Sequence, residues 1–378
     1  VTPLRLVAGS LLPFALADAA LTATVGLSRM RPNAVIKLIL QPVVWLGVMV
    51  VLMALGAGLT GAMVALVVSS VIAAVLALRA LRRYLGPATH SPVYRPRALC
   101  MFSLVSGTAW LATLGLVWAD TLILGALGSS TEVGVYTVAT RAVVLATFVL
   151  PASTQAFAPR ITDLYERGQT GELQHAYQVV TGWNLTLSLP MFALLVAFPE
   201  ELLALFGHGY STAVTVTMVL VAGQLVNAVT GPAGMMLTMS GRPGWGLADN
   251  VVTLALNVVL NLALIPAYGI VGAAIAWSVS LSVVNVVRVV QIRVALGMLP
   301  FQPRQLQDVF AATGAAVCGL LVALPFSGLA RLAVGGITVL VAYLVAIAML
   351  HRGDEDRLVV RMLVHRTATI LRPQWRQT

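Results

Sequence analysis

Five ionisable side chains lie within strongly apolar stretches of the sequence: Asp18, Asp120, Arg141, Asp249 and Arg288. Charged groups are costly inside a bilayer, and those that occur there usually pair with one another or mark the path of an ion or a substrate. An arginine in a water-filled cavity binds phosphate oxygens, and a carboxylate carries a proton or a cation. The chemistry open to these residues is therefore anion binding, cation transfer or the pairing of helices.

Asp120 and Arg141 lie at similar distances from a turn near residue 130. Two antiparallel helices with a tight turn place such residues at similar depth, so we expect the two side chains to meet. Asp120 would then hold Arg141 in position or carry a proton, and Arg141 would bind a phosphate group.

Asp249 and Arg288 flank the turn at 266–270 symmetrically, and we expect them to meet near the inner face. They either hold two helices together or contact substrate. Asp18 has no visible partner and is expected to face a cavity, a preceding helix or, protonated, the protein interior. Four asparagines within apolar stretches either line a polar path or hydrogen-bond neighbouring helices: Asn227, Asn257, Asn261 and Asn285.

Membrane-spanning helices must position these residues, because 59% of the 378 residues are hydrophobic and only 10% are charged. This composition, with a mean hydropathy of +0.93, excludes a soluble enzyme, a disordered chain and a fibrous protein. About 20 apolar residues span a bilayer core, and we predict eleven such helices in an all-α polytopic membrane protein. The predicted spans are 4–27, 34–56, 60–80, 101–127, 133–157, 176–198, 212–238, 247–267, 271–296, 308–328 and 331–350.

Positive charges alternate between the linkers and predict the orientation of the chain. Arginines follow the first, third, fifth, seventh, ninth and last spans, whereas the other linkers hold almost none, with Arg331 as the exception. The net charge of +10 therefore indicates a cytoplasmic excess of arginine rather than a nucleic-acid surface. We expect the N-terminus outside and the C-terminus in the cytoplasm. Residues 354–375 form either a basic amphipathic helix on the inner leaflet or a plain cytoplasmic tail.

An internal repeat relates spans one to three to spans seven to nine. The matched positions are Arg31-Pro32 with Arg242-Pro243, Gly58 with Gly269, Gly61 with Gly272, and Arg82 with Arg293. Chance among glycine-rich turns is the alternative. Parallel repeats produce such a pattern, and we expect a protein of fourteen helices whose first three precede Val1. The expected domains are a partial N-terminal lobe (1–95), a C-terminal lobe of six helices (96–297), two trailing helices (298–352) and a basic tail (353–378).

The sequence lacks the motifs of ATP hydrolysis, metal binding and nucleophilic catalysis. No glycine-rich loop ends in Gly-Lys, and Lys37 is the only lysine. The five histidines and two cysteines have no metal-ligand spacing. We therefore predict a protein that is not an enzyme and needs no cofactor, with coupling to H⁺ or Na⁺ left open.

Five segments between residues 100 and 300 carry a family resemblance through their order and spacing. They are ADTLILG (119–125), GVYTVATR (134–141), PRITDLY (159–165), SGRP (240–243) and NVVLNLALIPAYGIVGAA (257–274). Together they resemble bacterial oligosaccharide flippases of the multidrug/oligosaccharidyl-lipid/polysaccharide exporter superfamily. The resemblance implies two six-helix lobes around a central cavity and two trailing helices, with the first three helices of the pattern absent from this chain.

The resemblance also implies a function. The expected substrate is an undecaprenyl-diphosphate-linked oligosaccharide that crosses a bacterial cytoplasmic (inner) membrane by alternating access, for cell-surface polysaccharide synthesis. Cavity cations in the second helix of the C-terminal lobe recur in such flippases, and Arg141 occupies that position here. Asp18, Asp120, Asp249 and Arg288 are further substrate-binding candidates from the residues alone.

The expected partners are the lipid-linked substrate, the bilayer, a polysaccharide polymerase and glycosyltransferases, and not nucleic acid. Two alternatives belong to the same superfamily: a lipid II flippase and a cation-coupled multidrug exporter. A membrane glycosyltransferase or polymerase is disfavoured because the predicted outer linkers are too short for a catalytic domain.

Overall fold

The computed structural model describes residues 2–27, 29, 31–85, 97, 100, 114–115, 117–207 and 209–350. Within these ranges the chain forms helices joined by turns and no strand, as the predicted all-α class requires. The predicted basic tail and most of the first half of the predicted fourth span lie outside the described residues. The chain divides into two compact units, Val1–Pro96 and Arg97–Thr378.

The first unit contains three long helices that pack through small side chains. They are α1 (Thr2–Gly26), α2 (Gln41–Ala54), which continues from the π-helical Asn33–Leu40, and α3 (Gly58–Leu85). Ala17, Ala73 and Ala77 are buried where α1 meets α3. Small residues let membrane helices approach closely, which is the main source of helix association in lipid.

Among the described residues of the second unit, ten further helices surround two apolar cores. They are α4 (Val117–Leu127), α5 (Ser130–Ala146), α6 (Val149–Glu166), α7 (Thr170–Ala197), α8 (Pro199–Ala204), α9 (Val214–Thr230), α10 (Ala233–Met239), α11 (Pro243–Leu296), α12 (Pro303–Val322) and α13 (Gly328–Leu350). One core gathers Tyr136 and Phe192 with residues of α9 and α11, and the other gathers Tyr177 and Met236.

The 54-residue α11 is two membrane spans rather than one. Gly269 adopts φ 54° and ψ −132°, a conformation that interrupts the helix and that only glycine adopts readily. Asp249 contacts Arg288, which is possible only if the halves before and after Gly269 run antiparallel. The predicted division into spans 247–267 and 271–296 is therefore correct.

Eight described helices are long and apolar enough to cross a membrane, and α11 supplies two crossings. The predicted fifth span is divided instead between α5 and α6 at Thr147 and Phe148. Pro151 explains the break, because it has no N–H to donate to the carbonyl of Thr147. The chain is thus a multi-pass helical membrane protein.

The predicted seventh span is broken at Gly231 and Pro232, between α9 and α10. The hydroxyl of Tyr177 donates to the Thr230 carbonyl at 3.0 Å, which satisfies a backbone group that the break exposes. Gly231 has φ 64°, and a Cβ atom at this position would overlap Thr181 Oγ1. The side chains of α7 therefore fix the conformation of the break.

The turn between α4 and α5 is fixed by a capping box. Glu132 N–H donates to Ser129 Oγ at 3.3 Å, and Ser129 N–H donates to the Glu132 carboxylate at 2.7 Å. The Ser129 hydroxyl also donates to this carboxylate, at 2.9 Å. The bond from the Ser129 N–H and, to a smaller extent, the bond from its hydroxyl hold the pKa of Glu132 below its ordinary value. Because Ser129 and Glu132 together satisfy free N–H groups, α5 starts at a defined residue.

The trailing helices α12 and α13 are attached to α7 and α8 at three heights. Thr186 of α7 donates to Asp308 at 2.6 Å and accepts at its carbonyl from Tyr343 at 2.8 Å. Toward one end, the amide of Gln302 donates to Gln178 of α7 at 3.3 Å. Toward the other end, Arg331 pairs with Glu201 at 2.9 Å, so this exception to the arginine pattern is neutralised.

Candidate functional site

The second unit encloses an open-sided cavity of about 340 Å³. Its polar wall consists of Asp120, Thr121, Tyr136, Thr137, Thr140 and Arg141. Its apolar wall consists of Val117, Trp118, Val143, Val144, Leu220, Trp277 and Leu281. Ligand sites are typically apolar concavities with a few placed polar groups, and this volume is at the lower end of the roughly 300–1,000 Å³ that such sites occupy.

Arg141 is the cation of this cavity. It lies eleven residues after the start of α5, at a depth of roughly 16 Å along the helix axis. Its side chain is exposed, and it makes no hydrogen bond or ion pair with any residue that the structure describes. A guanidinium group at mid-membrane with no internal partner is available to an anionic ligand.

Asp120 lies on α4 and is only 3% exposed. Tyr136 donates its hydroxyl to Asp120 Oδ2 at 3.1 Å, and Asn261 donates its amide to Oδ1 at 2.8 Å. The same Asn261 amide lies 3.0 Å from Asn257 Oδ1, while Asn261 Oδ1 is buried without a described partner. A carboxylate that lines the cavity and two amides thus form a buried, oxygen-rich cluster.

The predicted pairing of Asp120 with Arg141 is wrong. The turn centres on Gly128 and Ser129, so Asp120 lies seven residues from the end of its helix and Arg141 lies eleven residues into the next. The resulting difference in depth is roughly 6 Å, and Tyr136 occupies the position opposite Asp120 instead. Arg141 also points away from Tyr136, by roughly 140° around α5.

Asp249 and Arg288 meet as predicted; they lie near the two ends of α11, and Gly269 lies midway between them. Arg288 Nε lies 3.5 Å from Asp249 Oδ2, and the two side chains are 18% and 6% exposed. Arg288 also donates to Asn250 at 2.7 Å, and Gln291 donates to Asp249 at 2.8 Å. The pair joins the two halves of α11, and its role in substrate binding stays a prediction.

Asp18 lies in the first unit and does have a partner. Lys37, the only lysine, donates to Asp18 as an ion pair between α1 and the π-helical segment. The expectation that Asp18 lacks a partner within this chain is therefore wrong. The long apolar stem of lysine lets its ammonium group reach a carboxylate at a different depth.

Several residues that shape the site are absent from the sequence-based candidates: Trp118, Tyr136, Thr137, Thr140 and Trp277. Single aromatic and hydroxyl side chains in an apolar chain give no periodic signal. The asparagines form hydrogen bonds between helices: Asn261 donates to Asp120, and Asn285 donates to Asn227 at 3.1 Å. The exact position of the α4–α5 turn is the signal that the sequence analysis lacked. It sets the depth of Asp120 relative to Arg141 and shows that Asp120 needs another partner, which is Asn261.

The arrangement of helices is similar to that of a membrane protein of known structure. A solved structure of the lipid II flippase MurJ, in its inward closed conformation, superposes with a TM-score of 0.68. The match covers 91% of this chain and 72% of that one at 10% sequence identity, so it establishes the fold.

Sequence comparison finds one family and two relatives that part of the chain resembles. Residues 109–263, which include Asp120, Arg141 and Asn261, match the MatE family. The "Probable low-salt glycan biosynthesis flippase Agl15" of Haloferax volcanii is 24% identical over 188 residues, and the "Probable flippase AglR" of the same organism is 29% identical over 198. Each match covers 50% of this chain and 40% of the relative. Part of this chain is therefore similar to MatE proteins and to these two relatives, and each match spans less than half of the relative's length.

The Asp249–Arg288 pair predicts a stability effect that depends on both partners. Arg288→Leu leaves a nearly buried carboxylate without its counter-charge, and we expect the free energy of unfolding to fall by roughly 3–5 kcal/mol. Adding Asp249→Leu removes the unpaired charge, so the double variant should recover part of that loss. Urea titration of the purified protein in detergent measures the three differences.

The exposed pair Asp163–Arg167, whose side chains are 52% and 66% exposed, provides the control. Arg167→Leu should change the unfolding free energy by no more than about 1 kcal/mol. Equal losses for Arg167→Leu and Arg288→Leu, or a double variant that is less stable than Arg288→Leu alone, contradict the role given to the Asp249–Arg288 pair.

Proposed function

We propose that this chain belongs to a flippase that moves an undecaprenyl-diphosphate-linked oligosaccharide across a bacterial cytoplasmic membrane by alternating access. The single observation that carries the proposal is Arg141, an exposed cation without a described partner that lines a cavity inside a helical membrane bundle. The names of the two haloarchaeal relatives, which include "flippase", support transport rather than chemical transformation.

The physical basis is the match between guanidinium and diphosphate. Phosphate oxygens accept paired hydrogen bonds from arginine, and these bonds are stronger where water is scarce. The lipid tail of such a substrate stays in the hydrocarbon while the charged group needs a compensating cation at depth. Lipid II, which also carries a diphosphate, and a cationic drug are the competing substrates, and Arg141 disfavours the drug by charge repulsion. A polymerase and glycosyltransferases are the proposed partners in polysaccharide synthesis.

Replacing Arg141 tests the proposal. Arg141→Ala removes the diphosphate contact, and loss of one charge-assisted hydrogen-bonding group of ~1.5–3 kcal/mol corresponds to roughly a 10- to 150-fold loss of transport. Arg141→Lys should retain part of the activity, because the charge remains but the bidentate geometry is lost. The measurement is mass spectrometry of the lipid-linked sugars that accumulate in cells carrying each variant as the sole copy.

Arg160→Ala, which removes an exposed arginine on α6, is the matched control for lost charge and should transport normally. Wild-type transport by Arg141→Ala, with equal protein in the membrane, would exclude the diphosphate role. Sensitivity to cationic drugs without accumulation of any lipid-linked sugar would favour the drug exporter.

We propose further that Asp120 couples transport to H⁺ or Na⁺. Two observations support this: the carboxylate is buried among Asn257 and Asn261, and Asn261 Oδ1 has no described hydrogen-bond partner. Hard cations prefer oxygen ligands, and a buried carboxylate without a basic partner also takes up a proton.

Asp120→Asn preserves the size of the side chain and removes its charge. In the wild-type protein, we expect Na⁺ but not K⁺ to raise the melting temperature, or transport to depend on the pH gradient. In Asp120→Asn both effects should disappear. Indifference of the wild-type protein to Na⁺ and to pH in both assays contradicts coupling at this residue.

The proposed orientation places the C-terminus in the cytoplasm. Support comes from the arginines at the ends of α3, α6 and α11, which all follow odd-numbered predicted spans. In a chain whose two cysteines are replaced by alanine, Ser130→Cys should react with an impermeant maleimide in spheroplasts. Glu166→Cys should react only after permeabilisation. The cysteine-free parent is the control, and the opposite labelling pattern reverses the orientation.

A further inference from the structure

The cavity of Arg141 contains two tryptophans at an unusual depth. Trp118 lies nine residues from the end of α4, and Trp277 lies eight residues after the Gly269 turn. These separations place both residues roughly 12–14 Å from the helix ends, close to the depth of Arg141. Tryptophan in membrane proteins concentrates at the interfaces with water, where its N–H reaches polar groups. The position of Trp118 and Trp277 far from the helix ends therefore needs another explanation.

Both tryptophans line the cavity, and neither has a described hydrogen bond from its indole N–H. Trp118 is 44% exposed, while Trp277 is half-buried, with one side against the apolar core. In the part of the chain that the structure describes, no hydrogen bond involves either indole N–H. Buried or half-buried tryptophans usually find such a partner. Each ring thus offers an aromatic surface and a free donor to whatever occupies the cavity.

The adjacent threonines supply the complementary acceptors. Thr137 donates its hydroxyl proton to the Val133 carbonyl at 2.7 Å, and Thr140 donates to the Thr137 carbonyl at 2.8 Å. Since their protons are engaged, the two hydroxyl oxygens present only lone pairs to the cavity. A ligand that both donates and accepts hydrogen bonds, and that has an apolar face to lay on an aromatic ring, matches this lining. A sugar ring has all three properties.

Volume and charge limit which sugar can bind. A cavity of about 340 Å³ holds a diphosphate with one sugar ring and leaves the rest of an oligosaccharide outside. Arg141 shares the cavity with the tryptophans, so the phosphate and the sugar must be neighbours in one ligand. The same arginine disfavours a cationic aromatic ligand, which the two tryptophans alone would suit.

We propose that Trp118 and Trp277 form a stacking subsite for the sugar joined directly to the diphosphate, and that this subsite selects the carrier-proximal sugar. The inference rests on the proposed function, because it takes the diphosphate at Arg141 as the neighbour of that sugar. Trp277 is the principal platform, since the core supports its second side. Trp118, the more exposed ring, closes the subsite from α4.

The test separates the sugar from the diphosphate. Isothermal titration calorimetry of the purified chain in nanodiscs uses two probes, undecaprenyl diphosphate and undecaprenyl-diphospho-N-acetylglucosamine. We expect the wild-type protein to bind the glycosylated probe more tightly. Trp277→Leu should reduce that preference roughly three- to tenfold while leaving affinity for the bare diphosphate unchanged. Arg141→Ala should weaken binding of both probes.

Two further variants guard against a general effect on folding. Trp277→Phe retains an aromatic face without the N–H and should lose only part of the preference. Trp183→Leu removes a half-buried tryptophan of α7 that does not line the cavity, and it should behave as wild type.

Each remaining outcome overturns one claim. If the wild-type protein binds both probes equally, or if Trp277→Leu weakens both equally, the sugar subsite is wrong and the diphosphate site stands. Failure of the wild-type protein to bind either probe contradicts the proposed function itself. Tight binding of tetraphenylphosphonium that Trp277→Leu abolishes would show that the tryptophans serve a cationic ligand instead.

Discussion

The cost of an uncompensated charge in a medium of low dielectric constant governs where this chain places its ionisable side chains. Asp249 pairs with Arg288, and Asp18 pairs with Lys37. Arg331, on the side where arginine is otherwise rare, pairs with Glu201. Asp120 has no cation beside it and is stabilised by a tyrosine hydroxyl and an amide. Against this background, Arg141 is exceptional because it has no partner among the described residues, and this is the reason for proposing that it binds substrate.

The separation of Asp120 from Arg141 follows from helix geometry and gives the two groups different tasks. One helical turn of depth and a rotation around α5 keep the carboxylate from neutralising the guanidinium. Had they paired, a diphosphate would have to displace an internal ion pair before it could contact Arg141. The observed arrangement leaves the carboxylate among Tyr136, Asn257 and Asn261, and it leaves Arg141 without a described partner. These are the two features from which we propose a cation site at Asp120 and an anion site at Arg141.

The sequence predicts contacts well where a turn is sharply defined and poorly where it is not. The Asp249–Arg288 contact follows from hydropathy alone, because Gly269 lies midway between the two residues along a continuous apolar stretch. The Asp120–Arg141 prediction fails through an error of about two residues in the position of the preceding turn, which is enough to change both depth and facing. The contact between Lys37 and Asp18 is predictable in the same way, because Lys37 is the only lysine and follows the turn after Asp18. The role of Trp118 and Trp277 is not predictable in this way. The cavity is formed by four helices, α4, α5, α9 and α11, and the local sequence of a single helix does not indicate it.

Three attachments join the trailing helices α12 and α13 to α7 and α8. Gln302 holds them at one end, Asp308 and Tyr343 hold them midway, and Arg331 holds them at the other end. Any tilt of the lobe must therefore carry these helices through the surrounding lipid. Cys318, exposed on α12, supplies a native thiol at which a spin label or fluorophore would report that tilt from the lipid-facing surface, without a probe in the cavity.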